Sequence, residues 1–194
     1  MTVVIALKYK DINYIAADCR TAAWYDLIND NTDKILKHNW CLIWLAWGVA
    51  EERLFSKVLR ENRDIKIDNP DIITDLYLRM RMFMKEYWLW NIGEAPAIEW
   101  LFVTDKKIWQ LRPDGSILEH KVSWSIWCWW DYAKWLLDKK DIKNPTKDLK
   151  DIIKAVSKYS IWVSSNAIVK IALPPKIINT IKKTIKKQKK KTSH

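Results

Sequence analysis

Residues 2–20 hold the stretch that decides the fold, T-V-V-I-A-L-K-Y-K-D-I-N-Y-I-A-A-D-C-R. Residues 2–9 are mostly β-branched or apolar, and residues 13–19 form a second apolar run after a polar turn at Lys10 and Asp11. Two such runs joined by a short polar turn predict a β-hairpin. We therefore expect these residues to form two paired strands.

Strands and helices are predicted in alternating blocks along the rest of the chain. Further strands are predicted over residues 34–38, 41–46, 97–104 and 107–112, with another ending at 122 and a last one over 161–173. Helices are predicted over residues 48–63, 71–87 and 131–139, and from 145 to about 159. Segregated blocks of this kind fit two antiparallel sheets packed face to face, with a helix pair outside each sheet. The predicted fold is therefore α+β, a four-layer αββα sandwich.

The composition indicates one folded domain. At 194 residues and 49% hydrophobic, the chain has enough apolar residues for a core of its own. Pro174 and Pro175 mark the end of that domain, so we expect a domain over residues 1–173 and a tail over 174–194. The apolar run near the N-terminus is too short to span a membrane and lacks the features of a signal peptide. A cytoplasmic protein without a membrane partner is expected.

The three cysteines carry no sign of a cross-link or a metal site. Cys19, Cys41 and Cys128 are an odd number of cysteines, and their spacing is not that of metal ligands. We expect reduced thiols.

Positive charge is concentrated in the tail. Of the formal net charge of +11, eight charges come from lysines between positions 176 and 191 with no acid among them, which leaves +3 for the rest. Such a segment is usually solvated or docks on a partner, and it attracts polyanions without specificity. We interpret the tail as a solubility or docking segment and do not expect nucleic acid as the main partner. A polyanion-binding module carried on the domain is the weaker alternative.

Tryptophan and glycine occur in unusual numbers. The chain has 14 Trp and only 3 Gly, whereas ordinary usage would give roughly fourteen glycines. Trp127 and Trp129 flank Cys128, and Trp47 precedes Gly48, in stretches typical of tight turns that glycine tolerates and an indole does not. Our hypothesis is that many of these positions are glycine in the living protein, because UGA was translated as Trp although the source uses it for Gly, as some uncultured bacterial lineages do. The alternative is an aromatic-rich core or stacking surface.

Several short motifs occur in the order found in one family of peptidases. They are T-V-V-I after Met1, A-D-C-R at 17–20, T-D-K-I at 32–35, A-W-G at 46–48, S-I-W-C-W-W-D-Y-A at 125–133 and S-I-W-V-S-S-N at 160–166. With glycine in place of the turn tryptophans, this series resembles the proteasome β subunits, and especially the bacterial two-ring peptidase HslV, across about residues 2–172. The resemblance implies a proteasome-type N-terminal-nucleophile hydrolase.

The resemblance also implies a mechanism. Thr2, exposed by removal of Met1, would supply both the nucleophilic hydroxyl and an α-amino group that takes its proton. Lys34 would favour the developing negative charge beside the hydroxyl, and Asp18 would hold that lysine charged and oriented. The backbone N–H of Gly48 would stabilise the oxyanion. No cofactor is required for this chemistry.

Two positions depart from the family pattern. Cys128 stands where the family has a serine that hydrogen-bonds the N-terminal amine, and a thiol is the weaker donor and acceptor. Ser160 stands where the family has an aspartate that orients the same corner. A second reading is therefore a catalytically inactive structural or assembly subunit of the same fold. Cys128 as the nucleophile is a further alternative, although no histidine lies near it in sequence to activate it.

The family's other properties are expected by the same resemblance. A structural Na⁺ or Mg²⁺ would be held by the backbone carbonyls of Tyr159, Trp162 and Ser165. The substrate would be protein or peptide, and the subunits would form a homo-oligomeric ring, a hexamer or heptamer stacked as a double ring. An AAA+ unfoldase would feed that chamber.

Overall fold

A computed structural model describes residues 2–23, 26–46, 49–86, 99–126, 130–174 and 177. Within them the strands are β1 Val4–Tyr9, β2 Ile12–Asp18, β3 Thr21–Ala23, β4 Asp26–Asn29, β5 Ile35–His38, β6 Cys41–Ala46, β7 Glu99–Val103, β8 Ile108–Leu111, β9 Ile117–His120, β10 Ser123–Ile126 and β11 Ala167–Ala172. The helices are α1 Val49–Glu61, α2 Pro70–Glu86, α3 Trp130–Lys139 and α4 Pro145–Ser157. The chain is therefore a mixed α and β protein, and its blocks of strands and helices follow the order that the sequence predicts.

The described strands form two main antiparallel sheets. One has the order β10-β1-β2-β11 and the other the order β5-β6-β7-β8-β9, while β3 and β4 make a separate two-stranded ribbon. Every described pair is antiparallel. The first hairpin thus lies at the centre of its sheet, between the last two described strands, β10 and β11.

The turn of the first hairpin fixes its register. Lys10 and Asp11 have φ angles of 48° and 61°, and two central residues with positive φ are typical of the primed turns that match the twist of paired strands. Val4 consequently lies opposite Ala17, and the N–H of Asp18 donates to the carbonyl of Val3 at 3.2 Å. The carboxyl end of β2 is therefore beside the residues that precede β1.

Three separate apolar clusters explain why β1 and β6 are apolar on both faces. Val4 and Ala6 pack with Leu42 and Trp44 of the other sheet. The alternate residues of β1 pack against α3 and α4, in a cluster of Val3, Ile5, Leu7, Tyr14, Ala16, Ala133, Leu137, Leu149, Ile152, Ile153, Val156 and Val163. The alternate residues of β6 pack against α1 and α2, in a cluster of Cys41, Ile43, Phe55, Val58, Leu59, Ile67, Ile73, Leu76, Tyr77, Met80, Met84, Trp100, Phe102, Trp109 and Leu111. Alternate residues of β1 and of β6 thus belong to different apolar clusters.

Three parts of the predicted strand pattern are wrong. The last strand begins at Ala167 and not at 161, because residues 161–166 form turns that carry hydrogen bonds to the site described below. The β3–β4 ribbon was not predicted, since its two short strands lack a long apolar run. The sequence predicts one strand that ends at 122, whereas the structure has β9 and then a separate strand β10, which pairs with β1 in the other main sheet.

Membrane crossing has no support among the helices. None of those in the described part of the chain is both long enough and apolar enough to span a bilayer.

Candidate active site

Asp18, the last residue of β2, has a carboxylate that is fully buried among backbone donors. Its Oδ1 accepts the N–H of Val3 at 2.9 Å. Its Oδ2 accepts the N–H of Arg20 at 3.0 Å and that of Ser164 at 3.4 Å. Because these donors come from three different segments of chain, the carboxylate is held in one orientation.

Lys34 directly precedes β5, and its ammonium group reaches across to the first hairpin. Its Nζ lies 2.8 Å from Oγ1 of Thr2 and 3.1 Å from Oδ2 of Asp18. Only 14% of the lysine side chain is exposed. The ammonium group therefore bridges the buried carboxylate and the threonine hydroxyl.

The start of β5 is anchored so that Lys34 stays in place. Asp33 accepts the N–H of Ile35 at 3.1 Å. Lys170 of β11 pairs with Asp33 at 2.6 Å and donates to the carbonyl of Ile35, also at 2.6 Å. Contacts on both sides of Lys34 thus fix its backbone between the two sheets.

The hydroxyl of Thr2 completes the cluster. It donates to Oδ1 of Asp18 and accepts from Lys34. The structure therefore brings together three of the residues that the sequence singles out, and it places Lys34 where positive charge meets the threonine oxygen. A hydroxyl in such a setting can become a nucleophile once a base takes its proton.

Burial sets the protonation chemistry of the site. It lowers the pKa of the Lys34 ammonium below its ordinary value, and the negative charge of Asp18 partly opposes that shift. Burial also raises the pKa of the neighbouring Cys19 thiol, with Asp18 adding to the effect. Cys19 therefore stays protonated near neutral pH, whereas Lys34 loses its charge more readily than an ordinary lysine.

The structure gives less information about the other predicted site residues, Gly48, Cys128 and Ser160. Gly48 and Cys128 lie outside the described residues. Ser160 is buried, and its hydroxyl accepts the N–H of Trp162 at 3.3 Å within its own turn. Ser160 thus serves the local turn, and its predicted relation to the N-terminal amine stays a prediction.

The residues predicted to hold a cation occupy the same turn. Tyr159 is 61% exposed and packs edge-on against Tyr132, while Trp162 is half-buried and Ser165 is exposed. Within the described residues, His, Cys, Asp and Glu side chains form no group that could hold a metal ion. Because backbone carbonyls were the expected ligands, that finding does not bear on the predicted cation.

Sequence reasoning missed a second group of residues around Asp18. Arg20 pairs with Asp30 at 3.1 Å, and the fully buried Ser164 donates its backbone N–H to Asp18. Arg20 and Ser164 lie inside motifs quoted above, but no role was assigned to them. Asp30 gave no signal, because its approach to Arg20 depends on the unpredicted β3–β4 ribbon.

Comparison with known proteins gives a match in structure alone. No protein-family model and no curated protein sequence matches the chain. The structure of Thiobacillus denitrificans BPH, a bacterial proteasome homologue, superposes with a TM-score of 0.76 at 11% identity, over 87% of this chain and 96% of that one. The same protein in complex with epoxomicin gives 0.73 at 12% identity, over 89% and 100%. Eukaryotic HslV from Trypanosoma brucei gives 0.64 at 10% identity, over 87% and 98%.

These likenesses define the class of fold. The chain has the fold of the HslV-like and proteasome-like N-terminal-nucleophile hydrolases. The resemblance that the short motifs indicate is thereby confirmed at the level of fold.

Proposed function

We propose that this chain is a threonine-type endopeptidase subunit in which Thr2 is the nucleophile after Met1 is removed. The observation that supports it most is the 2.8 Å contact between Nζ of Lys34 and Oγ1 of Thr2, with buried Asp18 behind both. Buried ion pairs contribute little net stability to a fold. Stability alone therefore does not explain why a buried carboxylate holds a lysine against the threonine hydroxyl.

The proposed reaction uses both functional groups of one residue. The Thr2 oxygen attacks the carbonyl carbon of a peptide bond, and the free α-amino group takes the hydroxyl proton directly or through water. That proton passes to the leaving amine as the C–N bond breaks, which leaves the acyl group as an ester on Thr2. Water then hydrolyses the ester and regenerates the hydroxyl. No cofactor enters either step.

Lys34 and Asp18 act on the charge that develops during the attack. Lys34, as a cation, lowers the energy of a partly negative threonine oxygen. Asp18 raises the pKa of Lys34 against the effect of burial, so the lysine keeps more of its charge near neutral pH. The N–H of Gly48 is the proposed oxyanion donor, and Cys128 and Ser160 are the proposed partners of the amine.

The proposal extends to architecture. The three apolar clusters support a four-layer αββα sandwich over residues 1–173, with 174–194 as a basic tail. We further propose a homo-oligomeric double ring of hexamers or heptamers, a protein or peptide substrate, an AAA+ unfoldase partner and a cytoplasmic location. The similar structures are proteasome-like proteins, and one is in complex with epoxomicin. A chamber of this kind restricts an unselective nucleophile to unfolded chains.

Hydrolysis of a fluorogenic peptide by the Met1-processed protein tests the proposal. We expect Thr2→Ala to abolish turnover and covalent labelling by epoxomicin, because the variant has no hydroxyl at this position. Thr74→Ala is the matched control, since Thr74 is an exposed threonine on α2 that donates to the carbonyl of Pro70. Equal, slow hydrolysis by wild type and Thr2→Ala would contradict the proposal.

A catalytically inactive subunit is the second candidate. Ser160, at the family's aspartate position, bonds to Trp162 of its own turn. If the protein with glycine at the turn tryptophans assembles but does not bind epoxomicin, this candidate is favoured.

A further inference from the structure

Asp30 lies outside the cluster of Thr2, Asp18 and Lys34 but is bound to a segment that holds Asp18. Its Oδ1 accepts from Nε of Arg20 at 3.1 Å, and its Oδ2 accepts from Nη2 at 3.4 Å. The Asp30 side chain is 34% exposed and the Arg20 side chain is 20% exposed. This is the two-pronged geometry in which a guanidinium group and a carboxylate fix each other's orientation.

Arg20 also forms hydrogen bonds with two other segments of the chain. Its backbone N–H donates to Oδ2 of Asp18 at 3.0 Å. Its Nη1 donates to the backbone carbonyl of Ile161, in the turn that precedes β11. One side chain therefore ties the segment after β2 to the segment after β4 and to the 160–166 turn.

Ser164 closes the connection from the other side. Its backbone N–H donates to Oδ2 of Asp18 at 3.4 Å, and its hydroxyl accepts the N–H of Asn166 at 2.9 Å. The side chain of Asn166 donates to the backbone carbonyl of Asp30 at 3.4 Å. The pKa of the Asp30 carboxyl is lowered, first by a hydrogen bond from the Ser164 hydroxyl and then by the bond from Arg20.

We propose that Asp30 is a positioning residue for Asp18. Its carboxylate binds Arg20, and its backbone carbonyl accepts from Asn166, which in turn bonds to Ser164. Asp30 thereby keeps the backbone N–H groups of Arg20 and Ser164 directed at Oδ2 of Asp18, and so it sets the position of the carboxylate that holds Lys34 against Thr2. We call Asp30, Arg20 and Ser164 the Asp30 clamp. The inference rests on the proposed function of Thr2.

The clamp also reaches the turn that contains Ser160. Ser160 bonds within its own turn, whereas Asp30 brings a carboxylate to the same turn from the end of the β3–β4 ribbon. The acid that organises this corner thus comes from another part of the chain. Replacing it should affect the alignment of the site without removing any group that touches the substrate.

The first test compares Asp30→Asn, Ser164→Ala and the double variant in peptide hydrolysis. We expect each single variant to lower kcat about tenfold through misalignment, with KM within about twofold. The double variant should be no worse than the worse single one, because both changes break one network. Glu119→Gln is the control, since it breaks a 2.7 Å ion pair with Lys107 on the β8–β9 hairpin. Unchanged kcat in both single variants, with an active wild type, overturns the inference.

A second readout does not depend on turnover. Loosening Asp18 weakens its support of the Lys34 charge, so the pKa of Lys34, followed by NMR of isotope-labelled methylated lysines, should fall in Asp30→Asn and in Ser164→Ala. Ser164→Ala removes no charge, which separates misalignment from the loss of a nearby anion. An unchanged Lys34 pKa in Ser164→Ala overturns the inference even if wild type is inactive, whereas an inactive wild type overturns the proposed function alone. If Asp30→Asn does not fold, Asp30→Glu replaces it.

Discussion

Replacing Asp18 by asparagine is the change that tests the site most directly. The substitution keeps the shape of the side chain but removes the charge opposite Lys34, whose ammonium lies 3.1 Å away and is 14% exposed. Breaking a buried ion pair costs about 3–5 kcal/mol. We expect a loss of about 3 kcal/mol, the low end of that range, because Lys34 can lose its proton: burial already lowers its pKa.

The effect on catalysis should exceed the effect on stability. Without Asp18, Lys34 is neither fixed beside Thr2 nor held charged, and removing one electrostatic contribution to a transition state costs about 10²–10³ in kcat. The falling alkaline side of the rate profile should also move to lower pH, since the attraction that raises the Lys34 pKa is gone. Urea unfolding and peptide hydrolysis measure the two effects on the same preparation.

Asp148 provides the matched control. It is a buried carboxylate at the start of α4, which accepts the N–H groups of Lys143 at 2.9 Å and Asn144 at 2.8 Å and pairs with Lys140 at 3.3 Å. Asp148→Asn should destabilise the fold through similar lost contacts, but it should leave kcat per folded molecule unchanged. If both variants lose activity in proportion to stability alone, Asp18 is structural and the reasoning is refuted.

Three further outcomes are expected. The pKa of Lys34 in the folded protein lies below its ordinary value. At a pH between the folded and the ordinary pKa, the unfolded chain therefore binds more protons than the folded protein, and the free energy of unfolding should rise with pH. Lys34→Met should remove that rise, measured as the difference between the urea unfolding curves of wild type and variant across the alkaline range. Trp100→Ala should cost about 4 kcal/mol, because this residue is 1% exposed and packs 4.4 Å from the ring of Phe55; a thermal melt checks it, and a loss below about 1 kcal/mol would contradict the packing argument. The codons for the tryptophans at 124–130 should be UGA, and peptides from the source organism should have the mass of glycine there; UGG codons would exclude recoding.

Much of the fold follows from local pattern. Strands β1 and β6 could be predicted because continuous apolar runs indicate strands buried on both faces. Helix α4 could be predicted because Asn144 and Pro145 start it, and the Asn144 side chain indeed accepts the N–H of Lys147. The β3–β4 ribbon and the turns at 161–166 could not, since they are held by long-range contacts and not by periodicity.

The candidate site divides in the same way. Thr2, Asp18 and Lys34 could be singled out because their motifs occur in order, and the hairpin register brings the first two together. Asp30 could not be, because nothing in residues 26–33 distinguishes a carboxylate bound to Arg20 from one in solvent. Its role depends on contacts that reach 141 residues along the chain, from Arg20 to Ile161.

The tryptophans show why composition alone could not decide which positions are anomalous. Trp100 sits among Phe55, Tyr77 and Phe102 at ring distances of 4.4–5.9 Å, as a core residue does. Trp44 is fully buried between the two sheets, yet its indole N–H has no hydrogen-bond partner, which costs about 1–3 kcal/mol. Glycine at position 44 would remove that cost, but glycine at either position would leave a cavity, because the side chains of Trp44 and Trp100 are both fully buried. Burial alone therefore does not separate recoded from genuine tryptophans, and the codon at each position decides it.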